Sequence, residues 1–201
     1  MPRVIIASTN AGKVAEIRSA LSTPGWAFIT VEDLGAEPLE VQETGETFLD
    51  NARLKAKAYA QHFGMPALAD DSGLEVDALR GAPGVRSARY AGEPGDDRAN
   101  NARLLSEMEG VPEEARTARF RSVVVLAWPQ GRELVAGGVC EGRIGFRPVG
   151  THGFGYDPLF LPDATPGRAM AELDLAEKNT ISHRGAALRK LHDLLAEECL
   201  A

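Results

Sequence analysis

At 201 residues, 44% hydrophobic and 25% charged, the chain has the composition of an ordinary globular protein, enough for one well-buried domain and too short for two independent ones. A formal net charge of −7 argues against a non-specific nucleic-acid binder, which needs a basic face, but leaves room for a local cationic pocket. Cys140 and Cys199 lie far apart with no Cys-x-x-Cys, and no stretch has the length of a signal-peptide core or a membrane span, so a soluble protein of the reducing cytoplasm, off the membrane, is expected.

The chain opens with a short β-branched strand, Arg3 to Ala7, followed by a helix with Val14, Ile17 and Leu21 on one face. Between them lies Ser8-Thr9-Asn10-Ala11-Gly12-Lys13, where backbone N–H groups and the positive end of a helix favour an anion and Lys13 adds a full charge. The same residues also read as an Asn10 or Ser8 cap beside a solvated lysine, and they lack the paired glycines of a Walker A loop. A second helix is expected from about Thr47 to Phe63, with Glu43 ahead of its start and Lys55 along its length; by default these are a capping carboxylate and a surface lysine.

Met65 to Ala69 reads as a strand that breaks into a glycine turn at Ser72-Gly73, leaving Asp70 and Asp71 side by side at its end. Adjacent carboxylates beside a buried strand repel and lose hydration unless a cation or several donors meet them, and hard oxygens suit Mg²⁺ or Mn²⁺. As turn chemistry alone, Asp-Ser-Gly is equally ordinary. A third helix is expected to start near Asp96 or Asp97, with Leu104, Leu105 and Met108 inward and Gly110 as its stop. Thr117 to Trp128 and Arg132 to Glu141 read as an antiparallel hairpin through Pro129-Gln-Gly131. In Gly153-Phe154-Gly155-Tyr156-Asp157-Pro158, two glycines allow close backbone approach while the aromatics offer stacking faces, suiting either a nucleobase site or a tight turn over a core aromatic. Lys178, His183 and Arg184 then cluster around a helix start at Ser182, which runs to Cys199 with Leu188, Leu191 and Leu195 as its stripe. Strands mixed with helices predict an α/β fold around a mixed β-sheet.

Carboxylates, lysines, an arginine, an anion-binding helix start and an aromatic loop together suit a Mg-nucleotide. Ser-x-Asn-x-x-Lys at 8–13, Glu43-Thr-Gly45, Ala69-Asp-Asp-Ser-Gly73, Gly153-Phe-Gly-Tyr-Asp-Pro158 and Ser182-His-Arg184 occur in one order over nearly the whole chain. With Ala82-Pro-Gly84 and Ser87-Ala-Arg-Tyr90, they resemble the non-canonical purine nucleoside triphosphate pyrophosphatases, also called inosine triphosphate pyrophosphatases or XTP/dITP diphosphatases. The resemblance implies Mg²⁺-dependent hydrolysis of ITP, dITP and XTP to the monophosphate and pyrophosphate. It also implies a homodimer whose subunits are single domains of two lobes around a long mixed sheet, with the substrate in a central cleft. By the same resemblance, Glu43 and Asp71 coordinate the metal, Asp71 also orients or deprotonates the attacking water, and Asp70 supports them. Ser8, Thr9, Asn10, Ala11, Gly12, Lys13, Lys55, Ser72 and Lys178 hold the triphosphate. Phe154 stacks on the purine within the Gly155-Tyr156 loop, and Asp157, His183 and Arg184 contact the base.

Hypoxanthine and xanthine share a 6-keto acceptor where adenine presents a donor, so ATP is expected to be rejected. Thr9 and His152 stand where the family frequently has glycine, and replacing either with glycine is expected to have modest effects. Two competing readings are a Maf-like pyrophosphatase acting on pyrimidine or common triphosphates and a nucleotide-sensing module without catalysis. Intact Glu43, Asp70 and Asp71 disfavour the second.

Overall fold

The computed structural model describes residues 2–21 and 25–198; Cys199, the expected end of the last helix, lies outside them. The described chain is an α/β protein whose sheet comprises β1 (Arg3–Ile6), β2 (Ala27–Ile29), β3 (Ala67–Val76), β4 (Thr117–Ala127), β5 (Glu133–Ile144) and β6 (Phe160–Pro162), in the order β2-β1-β3-β4-β5-β6. The sheet is mixed: β1 runs parallel to β2 and β3, whereas β5 and β6 are antiparallel. Helices α1 (Ala11–Ala20), α2 (Phe48–Phe63), α3 (Asp97–Glu107), α4 (Leu175–Ile181) and α5 (His183–Glu198) complete the framework with short 3₁₀ turns. Side chains of Asn10, Thr47 and Asp96 cap α1, α2 and α3, and Gly64 ends α2 in the left-handed conformation, so local chemistry sets these boundaries. Strands β4 and β5 are neighbours, joined by a turn in which Trp128 N–H donates to Arg132 O and Gly131 N–H to Trp128 O, each at 2.9 Å.

Two expectations need correction. Strand β3 does not break at Ser72-Gly73; it runs ten residues to Val76, because Gly73, Leu74 and Val76 are themselves buried and burial outweighs the turn preference of Asp-Ser-Gly. The last helix begins at His183, not Ser182: Ser182 is extended (φ −70°, ψ 157°) and ends a separate short helix, α4, which carries Lys178.

Two compact units share the chain. The first takes the chain up to Asp71, Ser122–Gly138 and the chain from Arg184 onward. Its strands alternate strictly. Val4, Ile6, Leu68, Val124 and Leu126 pack with Ile17 of α1 and Leu188, Leu191 and Leu195 of α5, while Ile5, Ala67, Ala69, Val125 and Ala127 pack with Ala52, Ala56, Tyr59 and Ala60 of α2. Trp26 and Trp128 meet edge-to-face in this unit, ring centroids 6.3 Å apart. The second unit, Ser72–Arg121 and Val139–His183, has its own core, with Leu74, Val76, Leu104, Met108, Phe120, Tyr156 and Phe160 at its centre. Arg119 pairs with Asp77 and Glu141, and Arg121 with Glu75, on the polar side of its strands. Buried Arg116 donates to the carbonyls of Met108, Val111, Ile144 and Gly145, fastening the end of α3 to β5.

Cys140 lies in this second core, and burial pushes its thiol up to about 12. Little thiolate forms at neutral pH, so native protein should alkylate at Cys140 about a hundredfold more slowly than denatured protein. Peptide mapping after iodoacetamide treatment distinguishes Cys140 from Cys199 and checks this. No helix among the described residues is long and apolar enough to cross a membrane.

Candidate active site

Successive residues of an extended strand face opposite sides of its sheet, and β3 applies this to its two aspartates. Asp70 shares the side of Leu68 and is met by α1 and α5: Lys13 Nζ lies 2.8 Å and Arg184 Nη2 3.0 Å from its Oδ2, and the Ser122 hydroxyl donates to Oδ1. Arg184 also ion-pairs with Glu16 of α1, and Glu16, Asp70 and Arg184 are all at most 2% exposed. Burial alone would raise the Asp70 carboxyl, but the charges of Arg184 and Lys13 overcome it and hold the group well below the ordinary carboxylate range.

Asp71 shares the side of Ala67 and Ala69, which faces α2. Burial pushes its carboxyl up to about 6; the charges of Lys13 and Lys55 pull it down, while Glu43 and Asp70 push it up. Lys55 of α2 pairs with Glu43. Adjacent in sequence, the two aspartates therefore do different work. Asp70 is locked into a buried ion group, whereas Asp71 is a proton-affine carboxylate among two lysines and a second acid.

The expected anion loop enters α1 in the same unit. Asn10 caps the helix by accepting from Lys13 N–H at 3.0 Å, and Asn10 N–H donates to Ser8 Oγ at 3.2 Å. Thr9, Asn10 and Ala11 are exposed and Gly12 half-buried, so the backbone of the helix start is accessible to an anion, while the Lys13 ammonium behind it is engaged with Asp70.

The remaining predicted residues belong to the second unit, among them Ser72, half-buried in β3. Asp157 Oδ2 accepts from Phe154 N–H at 2.9 Å and pairs with Lys178, whose Nζ stands 4.8 Å from the Phe154 ring centroid. Both members of that ion pair are nearly fully buried. Tyr156 turns inward, its hydroxyl donating to Ser87 O at 2.9 Å, and His183 stacks on Phe120 with centroids 4.7 Å apart and planes inclined 13°. The loop turns at Gly153 (φ 76°) and Gly155 (φ 60°), where L side chains are disfavoured. A Cβ on Gly153 would sit 2.0 Å from Asp157 Oδ2. Gly153→Ala is therefore expected to cost about 2 kcal/mol in urea unfolding, and an unchanged midpoint would refute the clash.

The structure thus gathers residues 8–13, Glu43, Lys55, Asp70, Asp71 and Arg184 in one unit, and Ser72, residues 154–157, Lys178 and His183 in the other. Lys178, expected on the triphosphate, is found with Asp157 and Phe154; Arg184, expected on the base, is found with Glu16 and Asp70. Sequence reasoning missed Glu16 and Ser122. Glu16 carried a signal, lying three residues from Lys13 on a shared helix face; Ser122, inside an apolar strand, carried none.

A model of the Ham1 family matches residues 4–194. The chain is 53% identical to the dITP/XTP pyrophosphatase of Desulforamulus reducens, covering 96% of this chain and 95% of that protein. It is 51% identical to the protein of the same name from Geobacter sulfurreducens, covering 97% of each. Among solved structures, a HAM1 protein from Coxiella burnetii superposes with a TM-score of 0.87 at 41% identity, covering 98% of this chain and all (100%) of that one. The Staphylococcus aureus Ham1 protein superposes with a TM-score of 0.84 at 38% identity, covering 98% and 99%.

Proposed function

This chain belongs to the Ham1 family, and from that premise we propose that it hydrolyses ITP, dITP and XTP to the monophosphate and pyrophosphate in a Mg²⁺-dependent reaction. The observation that carries the reading is Asp71, a buried carboxylate shifted toward neutrality beside Lys13, Lys55 and Glu43. A carboxylate whose proton affinity burial has raised is suited to accept a proton from water.

Water attacks the α-phosphorus, its proton passes to Asp71, and the bond from that phosphorus to the bridging oxygen breaks with its electron pair leaving on pyrophosphate. Lys13, Lys55 and the N–H groups of residues 8–13 bind the phosphates and offset the charge that develops there. Ser72 supports the same grip. Asp70, with both oxygens engaged, fixes Lys13 and the strand rather than meeting substrate. Phe154 stacks on the purine and Asp157 and His183 contact the base, with Lys178 held beside the Phe154 ring by its ion pair to Asp157.

The donor set fits the metal. Glu43 and Asp71 are hard oxygen donors close enough to influence each other's charge, and together they would hold Mg²⁺, or Mn²⁺ in its place, beside the substrate phosphates. When bound by Glu43 and Asp71, the ion supplies neutralisation of phosphate charge.

The whole chain acts as a homodimer in the cytoplasm. Phe146, 63% exposed, with half-exposed Val139 and Val149 provides apolar surface suited to a second copy. The test is product identification with ITP, XTP, GTP, ATP and UTP, with Mg²⁺ and then with a chelator. Metal-dependent conversion of ITP and XTP to monophosphates, with GTP and ATP far slower, supports the reading. Pyrimidine turnover, or binding without hydrolysis, refutes it.

A further inference from the structure

We propose that Asp97 and Asn101 on α3 are positioning residues that set purine selectivity by fixing the backbone beneath Phe154 and Asp157; this deepens the reading above and rests on it. Both clasp one residue of the aromatic loop. Asp97 Oδ2 accepts from Gly155 N–H at 2.7 Å, and Asn101 Nδ2 donates to Gly155 O at 2.8 Å. The two sides of a single loop residue are thereby tied to consecutive turns of a helix.

Three further observations make the clasp more than a local contact. Gly153 and Gly155 both have positive φ, and glycine leaves this backbone more conformations than other residues would, so the loop gains from external restraint. A cavity of about 460 Å³ borders the loop, lined by Arg98, Leu105, Pro148, His152 and Phe154 among others, so packing does not wedge it on that side. Hydrogen bonds must therefore hold it. The anchor is itself braced: Asn100 accepts from Ala91 N–H at 2.7 Å and donates to Ala88 O at 3.1 Å, while Tyr156 reaches Ser87 O in the same segment. Helix α3, residues 87–91 and the loop form a closed frame.

Loosening that frame shifts the stacking face and Asp157 together while leaving the phosphate ligands of the other unit in place. A misplacement on the order of 1 Å in a substrate-positioning element is enough to cost up to about a hundredfold. The loss should fall on substrates in proportion to how much they depend on the base.

The experiment compares Asn101→Ala, Asp97→Ala and Asp97→Asn with wild type, with saturating Mg²⁺, on ITP, GTP and ribose 5-triphosphate, a substrate without a base. The two alanine variants are expected to raise KM for ITP about tenfold with kcat within about threefold, and to narrow the ITP-over-GTP preference. Ribose 5-triphosphate hydrolysis stays unchanged. Asp97→Asn keeps an acceptor oxygen in place and restores the wild-type KM. Equal losses on ITP and ribose 5-triphosphate overturn the inference, as a merely structural role predicts them, and so does an unchanged KM for ITP. A wild-type enzyme that treats ITP and ribose 5-triphosphate alike overturns the assignment of this loop to the base before any variant is measured, which separates that failure from a failure of the clasp.

Discussion

Replacing Asp71 with asparagine is expected to lower kcat about a thousandfold while nucleotide affinity stays within about threefold. The amide has the shape of the carboxylate and none of its basicity, so the fold loses little while the proton acceptor disappears. The neighbouring acid cannot substitute: Asp70 points to the other side of the sheet and is held ionised by Lys13 and Arg184. The same substitution removes an oxygen from the proposed metal ligands, so turnover should be measured across a Mg²⁺ titration. The expected deficit persists at saturation; full recovery at high Mg²⁺ would reduce Asp71 to a ligand. Calorimetric binding of a non-hydrolysable nucleotide provides the affinity, and wild-type turnover in the variant would remove Asp71 from the reaction.

Arg184→Met should produce the largest stability loss, about 3–5 kcal/mol, because it leaves Glu16 and Asp70 buried without the guanidinium that joins them. Asp70 retains Lys13 and Ser122, so Glu16 carries most of the penalty. For a chain of this length the loss corresponds to a fall in Tm of about 10 °C. Thermal melts and urea titrations check it, and a shift under about 2 °C would show that the ion group is easily relaxed. Arg184→Met, Glu16→Gln should recover part of the loss, since a neutral amide tolerates burial better than an unpaired carboxylate.

Most of the framework was readable from periodicity and punctuation. Asn10, Thr47 and Asp96 act through local chemistry and the leucine stripe of α5 through its period, and each stands where the pattern put it. The three-residue strands β2 and β6 are too short to show a period, and the seven-residue α4 was absorbed into the segment around Ser182. At Ser72-Gly73 a turn signal competed with burial of the following residues, a tertiary effect invisible to local preference. The candidate site divides the same way. Its motifs name the side chains, but pairings such as Arg184 with Glu16, 168 positions apart, require the fold. Alternation along β3 would have separated the tasks of Asp70 and Asp71 had that strand been recognised as continuing through them.

The Trp26–Trp128 pair turns the uneven distribution of fluorophores into a tool. Both tryptophans of the chain belong to the first unit, so indole emission reports unfolding there, while Cys140 is an independent chemical reporter in the second core. Following emission and thiol labelling through one denaturant series reveals whether the two units melt as a single cooperative block or in sequence. Coincident midpoints would mean that a lesion in the Phe154 loop is felt by the indoles, and separated midpoints that each half keeps its own stability.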